Sequence, residues 1–317
     1  MTSASVRSPQ HDEAKTGTAA IVASGLTKFY GKTPGIVELD LEVRVGEVFG
    51  FLGPNGAGKT TTIRTILDLL HPTSGTATLL GLDSHADSVE VKRRTGYLPG
   101  DLAMYEAMTA RQMLYYFANL RGLDLADNIE AYAERLDLDL DRKIGSYSSG
   151  NRQKVGVVQA FMHEPELLIL DEPSLGLDPL MQQEFYRMID EVRTAGRTVF
   201  LSSHNLPEVE RVADRIAIVR NSRLVALETV EDLKAKARRR LDIHFSVPIQ
   251  ASEFFSLAGV DDVQSINDGY GVAVTVAGSV DRVMKAAAQH EIVNIISHEG
   301  DLESAFLAYY EEPADAQ

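Results

Sequence analysis

EVFGFLGPNGAGKTTTIRTILDLL, residues 47–70, is the stretch whose reading decides the fold. A short apolar run, EVFGFLG, stops at glycine. A run with helix-like spacing of apolar residues starts at TTTIRTILDLL. Between them GPNGAGKT, Gly53 to Thr60, fits the pattern G-x-x-x-x-G-K-[ST]. Across Gly53, Pro54, Asn55, Gly56, Ala57 and Gly58, the glycines let backbone N–H groups curl around phosphate oxygens with no Cβ in the way. The helix behind the loop points its positive end at the same anion. Lys59 is placed for the β- and γ-phosphates, the Thr60 hydroxyl for Mg²⁺, and Thr61 stands beside it. The rival reading is a glycine turn that caps a helix. Average composition gives the pattern by chance in about one chain of this length in a hundred. The strand before it and the helix after it lower that further.

Working outward, LLILDEP (167–173) carries four apolar residues into Asp171 and Glu172. Ligands of open parallel sheets bind at such strand ends. Asp171 is then placed to hold Mg²⁺ through water, and Glu172 to orient and deprotonate an attacking water. Without the phosphate loop, an acidic cap of the next turn would be the better account. A third apolar run, VFLSSH (199–204), ends at His204, which could donate to a γ-phosphate oxygen. SLGLDP (174–179) reads as a turn with Asp178 as a cap. SYSSGNRQKVGVVQAF (146–161) reads as a helix start with Ser148 or Ser149 as N-cap. Its basic run is either a plain solvated face or the flank of a second anion-facing helix end.

The three apolar runs imply buried parallel strands of an α/β core. Residues 20–45 alternate apolar and polar residues and imply antiparallel strands. Between about 100 and 163 the sequence reads as a helical insert. Thr109 to Gln112 fits a capping box opening a helix to about Leu120, and a second helix falls at about 128–137. From about 241 the order is strand, helix, two strands around an Asp-Gly turn, helix, strand and a last helix at LESAFLAYY. That matches a small α+β, ferredoxin-like plan. The expected division is a disordered tail at 1–19, an ATPase domain at 20–235 and an accessory domain at 241–317.

The net charge is −15, and residues 241–317 hold 13 acidic against 2 basic side chains. Such an acidic part disfavours nucleic acid as a partner. The run KAKARRR (234–240) is expected to end a helix, where cations suit the dipole. The chain has no cysteine, which fits a reducing compartment. No apolar run reaches membrane-helix length, and the N-terminus has no signal-like apolar core.

These motifs in this order resemble the nucleotide-binding subunit of an ABC transporter over about residues 20–235. The resemblance implies that Tyr30 in TKFYG stacks on adenine, that SLGLD with Asp178 is the D-loop, and that His204 is the switch histidine. Tyr147 to Asn151 stands where the family reads LSGGQ, so Ser148 and Gly150 would contact a phosphate. Ser149 and Asn151 depart from that pattern. Gly100 in GYLPGD replaces the usual glutamine, whose contact with Mg²⁺ and relay to the membrane partner is thereby lost as a side chain. Both departures resemble a subgroup of bacterial drug- and toxin-exporting (beta-exotoxin-like) ABC proteins.

The implied cofactors are ATP and Mg²⁺, and the implied reaction is ATP hydrolysis. One copy of each motif implies a second ATPase chain, a homodimer in the simplest case. It also implies a separate integral membrane permease, met through the 96–110 segment. The location would be cytoplasmic, peripheral on the inner face of the cell membrane. Two other readings compete. A soluble ABC ATPase acting on ribosomes would need two cassettes in one chain, and one acting on DNA would need a coiled-coil arm. A P-loop kinase would leave the serine loop, the D-loop and His204 unexplained.

Overall fold

The computed structural model describes residues 19–236 and 238–298. The proposed tail, Ala237 and the helix expected at LESAFLAYY lie outside these residues, the tail save for Ala19. In chain order, β1 (Ala19–Tyr30) and β2 (Thr33–Arg44) form a hairpin. Then come β3 (Val48–Leu52), α1 (Lys59–Ile66), β4 (Ser74–Leu79), β5 (Leu82–Asp83), α2 (Ser88–Arg94) and β6 (Thr95–Leu98). The helical insert holds α3 (Ala110–Arg121), α4 (Ala126–Arg135) and α5 (Ser149–Phe161). β7 (Leu167–Asp171), α6 (Pro179–Thr194), β8 (Thr198–Ser203), α7 (Leu206–Val212), β9 (Arg215–Arg220), β10 (Arg223–Thr229) and α8 (Val230–Lys236) follow. The last unit contains β11 (Arg238–Phe245), α9 (Ser252–Phe255), β12 (Val260–Ile266), β13 (Gly271–Ala277), α10 (Asp281–Ala287) and β14 (Ile292–His298).

The central sheet runs β10-β9-β3-β8-β7-β6. Its strands pair in parallel except β10, which returns antiparallel along β9. Every residue of β3, β7 and β8 is buried, as continuous apolar strands covered on both faces require. Phe49 and Phe51 of β3 meet Phe200 of β8 at ring-centroid distances of 5.7 and 5.3 Å. Each such contact is worth about 0.5–1.5 kcal/mol beyond area burial. The packing fixes β3 and β8 side by side, so their C-terminal ends open at one edge.

A second, antiparallel sheet runs β2-β1-β4-β5 and shares a core with α1 and one face of the central sheet. In the insert, Thr109 caps α3 as a complete capping box. Its hydroxyl accepts from Gln112 N–H at 3.2 Å and Gln112 Oε1 accepts from Thr109 N–H at 3.0 Å. Such a cap stabilises by about 1 kcal/mol. The C-terminal unit is an antiparallel sheet of order β12-β13-β11-β14 with its own core around Ile243, Phe245, Phe254 and Val274.

Two expectations need correction. Arg238, Arg239 and Arg240 do not end a helix; they open β11, paired with Ala277, Val276 and Thr275 of β13. The buried alternation of Leu241, Ile243 and Phe245 carries the ladder back through them. Their charges meet acidic neighbours, Arg238 to Asp261 and Arg240 to Asp242, each at 2.9 Å. The Arg152–Lys154 run is also no solvated face. Gln153 and Lys154 are buried, and Arg152 is ion-paired with Glu106 at 3.2 Å.

Candidate functional site

The loop after β3 curls because three glycines permit it. Gly56 and Gly58 have φ of 81° and 106°, in the left-handed region. A Cβ on Gly58 would stand 2.1 Å from the Gly35 carbonyl oxygen, so the β1–β2 hairpin packs on bare backbone. A Cβ on Gly53 would stand 2.5 Å from the Val219 carbonyl oxygen. No side chain caps the start of α1, so its first N–H groups face the loop's hollow.

That hollow is a cavity of about 340 Å³ lined by Tyr30, Thr33, Pro34, Gly35, Pro54, Asn55, Gly56, Gly58, Lys59, Thr60, Thr61 and Glu172. Tyr30 stands half-exposed on its rim, its hydroxyl 3.5 Å from Thr61 Oγ1. Gly53 and Ala57 lie behind the lining and support it, Ala57 in the core. Thr33, Pro34 and Gly35 were not singled out in the sequence. Their signal is the turn cluster G-K-T-P-G, which reads as a hairpin loop and says nothing of what it faces.

Lys59 folds back over the loop. Its Nζ donates to the carbonyls of Gly53 at 2.6 Å and Pro54 at 3.3 Å and lies 3.1 Å from Glu172 Oε1. Glu172 Oε2 is 2.7 Å from His204 Nδ1. Lysine, glutamate and histidine, from α1 and the ends of β7 and β8, thus form one chain across the sheet edge. Glu172 sits there with φ of 50°, a conformation that costs a non-glycine residue roughly 1–2 kcal/mol. Its N–H donates to the Ser202 carbonyl at 3.1 Å, which helps hold it.

Asp171 is fully buried one residue earlier. Its Oδ1 accepts a short hydrogen bond from Ser202 Oγ, and its Oδ2 has no hydrogen-bond partner. A Cβ on Gly100 would come 3.1 Å from that bare oxygen. Gly100, standing where the resemblance implies a glutamine, therefore adjoins Asp171 and presents no side chain to it.

Ser148, Gly150 and Asp178 do not line this cavity. Ser148 is the N-cap of α5, accepting from Asn151 N–H at 3.3 Å. Gly150 lies against the D-loop, where an added Cβ would be 2.5 Å from the Gly176 carbonyl oxygen. Asp178 caps α6, accepting from the N–H groups of Leu180 and Met181 at 3.0 and 3.1 Å. Gln153, buried behind the serine loop, donates to the Pro173 carbonyl at 2.8 Å and the Glu172 carbonyl at 3.4 Å. The serine loop and the residues just after the acidic strand end therefore share one hydrogen-bonded unit.

Glu208 is a further group the sequence did not disclose. It is buried on α7 beside β8, where Ser203 Oγ donates to its Oε2 at 2.6 Å. Burial pushes its carboxyl up, opposed by hydrogen bonds from Ser203 and Ser174 and reinforced by the charge of Glu172. A glutamate four residues past a histidine reads as ordinary helix surface, so no sequence signal marks it.

The chain is similar to known proteins. A family model described as ABC transporter matches residues 36–175. The chain is 37% identical over 229 residues to the bacitracin transport ATP-binding protein BcrA of Bacillus licheniformis, spanning 71% of this chain and 75% of that protein. It is 32% identical over 276 residues to the linearmycin resistance ATP-binding protein LnrL of Bacillus subtilis (strain 168), spanning 86% of each. A solved ATP-binding subunit of an ABC transporter superposes with a TM-score of 0.64 at 30% identity, over 68% of this chain and 92% of that one. With that identity over three quarters of a relative, added to the phosphate loop and the acidic strand end beside it, the chain belongs to the ABC transporter family, as an ATP-binding subunit that hydrolyses ATP for transport.

Proposed function

We propose that the chain drives an exporter of a drug, toxin or antibiotic by working as one half of an ATPase pair, a homodimer in the simplest case, on a separate membrane permease. The exporter reading is supported by the relatives whose names concern bacitracin transport and linearmycin resistance. The catalytic reading rests on one observation, the Lys59–Glu172–His204 chain at the mouth of the phosphate-loop cavity. Among the described residues no helix is long and apolar enough to cross a membrane, so a permease partner would provide the span and hold the chain at the inner face.

In this reading the loop from Gly53 to Thr61 wraps the phosphates and Tyr30 packs on the adenine. An arriving γ-phosphate takes the place of Glu172 beside Lys59 Nζ, because a phosphate oxygen can accept a charge-assisted bond that Glu172 Oε1, ion-paired at 3.1 Å but not hydrogen-bonded, does not make. Glu172, freed on that side, orients and deprotonates the attacking water. His204 turns its ring N–H toward the γ-phosphate oxygens. Thr60 and Asp171 fit a Mg²⁺ site, since the bare, buried Oδ2 of Asp171 is an unspent acceptor at the strand end. There Mg²⁺ would neutralise charge developing between the β- and γ-phosphates. With Gly100 beside it, Asp171 has room for a water in the place where the resemblance implies a glutamine amide. Ser148, Gly150 and the D-loop with Asp178 would close on the nucleotide held by the second chain.

The βαββαβ element order with the strand order β12-β13-β11-β14 supports a ferredoxin-like plan for the accessory unit, with the ATPase domain ending near residue 235. We assign that unit to dimer contact or regulation.

Glu172→Gln tests the catalytic assignment. The variant should bind ATP with unchanged affinity, hydrolyse it about 10²–10⁴-fold more slowly, and accumulate ATP-bound dimers on size-exclusion chromatography. Unchanged turnover would remove Glu172 from the role of base.

A further inference from the structure

One cluster of ligating side chains lies outside the nucleotide site. Asp68 follows α1, His71 sits three residues on, and His85 comes from the segment after β5. His71 Nδ1 lies 3.1 Å from Asp68 Oδ1, and His85 Nδ1 lies 3.0 Å from Asp68 Oδ2. The two rings stand edge to face with centroids 5.3 Å apart. One ligand atom from each residue can be chosen so that all lie within 4.8 Å of one another. Asp68, His71 and His85 also line a shared cavity of about 380 Å³.

We propose that Asp68, His71 and His85 form a three-ligand site for Zn²⁺, with the fourth position open to water. A tetrahedral zinc with ligands at 2.0–2.2 Å has ligand–ligand edges of about 3.4 Å. Each histidine nitrogen is near that edge length from its own Asp68 oxygen, and with one oxygen chosen as the ligand the remaining separations stay within 4.8 Å, so side-chain shifts admit the ion. Two imidazoles and a carboxylate suit zinc better than Mg²⁺, which prefers oxygen ligands. Each neutral imidazole then carries its proton on Nε2 and turns the Nδ1 lone pair to the metal.

The positions are held independently of any metal. Asp68 keeps a left-handed φ of 51°, and its side chain is only 10% exposed. The backbone N–H of His85 donates to Asp83 Oδ1 at 2.9 Å, and the His71 carbonyl accepts from Lys28 Nζ at 2.6 Å. Both histidine side chains are about three-quarters exposed and still turn to one carboxylate. The site lies beyond the far end of α1 from the phosphate loop, about 12 Å away along an eight-residue helix. Zinc there would join the end of the phosphate-loop helix to the β5–α2 connection.

The test uses the untagged full chain without nucleotide, because phosphate oxygens also bind zinc. Titration with ZnCl₂ should show one ion per chain with a micromolar or tighter Kd. CoCl₂ should give visible bands of a tetrahedral site. His71→Ala and His85→Ala should each weaken zinc binding at least 10-fold and remove the cobalt bands. His290→Ala, which breaks the exposed His290–Glu253 pair at 2.8 Å, should leave both unchanged. Absence of zinc binding at 100 µM free metal, or binding that survives both His71→Ala and His85→Ala, would overturn the site. ATP affinity of His71→Ala and His85→Ala is measured alongside, and the inference stands or falls without it.

Discussion

Two helix starts in this molecule are built from similar materials and left in opposite conditions. α1 begins at Gly58 with no side-chain cap, and its N–H groups face a cavity floored by the chain's own lysine. α5 begins at Ser148, which caps the helix itself, and Gly150 rests on the Gly176 carbonyl. On the proposed roles, the first start holds its anion with residues of one chain. The second is capped by its own serine and does not line the phosphate-loop cavity. The difference teaches that a single chain can bind nucleotide, and that using the second start requires something brought to it. That agrees with the proposed pairing of two chains.

The comparison breaks most visibly at Lys59. Lys59→Ala removes the charge that faces the phosphates and leaves Glu172 without its ion pair. ATP affinity should fall by about 10–150-fold, the equivalent of about 1.5–3 kcal/mol for a hydrogen bond to a charged group. Isothermal titration measures it, and near-normal affinity would count against α1 as the anion site.

Gly150→Ala probes the other helix start. Its Cβ would stand 2.5 Å from a backbone oxygen that cannot rotate away. The overpacking should cost roughly 1–3 kcal/mol in denaturant unfolding. Monomer ATP affinity should hold while ATP-induced dimerisation fails. If affinity falls with it, the two helix starts are not separate devices.

Ser148→Ala gives the smallest effect. Losing the cap should cost about 1 kcal/mol of stability. ATP binding by the monomer should stay within twofold, read by fluorescence titration with a nucleotide analogue.

The sequence disclosed what depends on local pattern. Three of the parallel strands (β3, β7 and β8), the capping box at Thr109 and Gln112, and the residues converging on the sheet edge were legible because each follows from a run or a spacing; β6 and β9, also parallel, were not read. What escaped depends on packing between distant segments. The Asn221–Ser222 turn, with φ of 49° and 64°, joins β9 to β10, yet two ordinary polar residues gave no glycine to mark it. Gln153 and Lys154 are buried because α5 lies under the D-loop and against the end of α4, where Lys154 Nζ reaches the Asp137 carbonyl at 3.4 Å. Arg238 to Arg240 look like a helix end until β13 pairs with them and Asp261 and Asp242 meet two of their charges. Glu208 shows its importance only once α7 is laid along β8.

The lysine, glutamate and histidine chain has one more consequence. Glu172 Oε2 is hydrogen-bonded to His204, while Oε1 is held 3.1 Å from Lys59 Nζ by charge alone, with no hydrogen bond of its own. On the proposed roles, the lysine's charge keeps that oxygen at the phosphate loop until a triphosphate claims the lysine and releases it toward water. Fuel is then spent only when fuel is seated, and an idle transporter does not waste it.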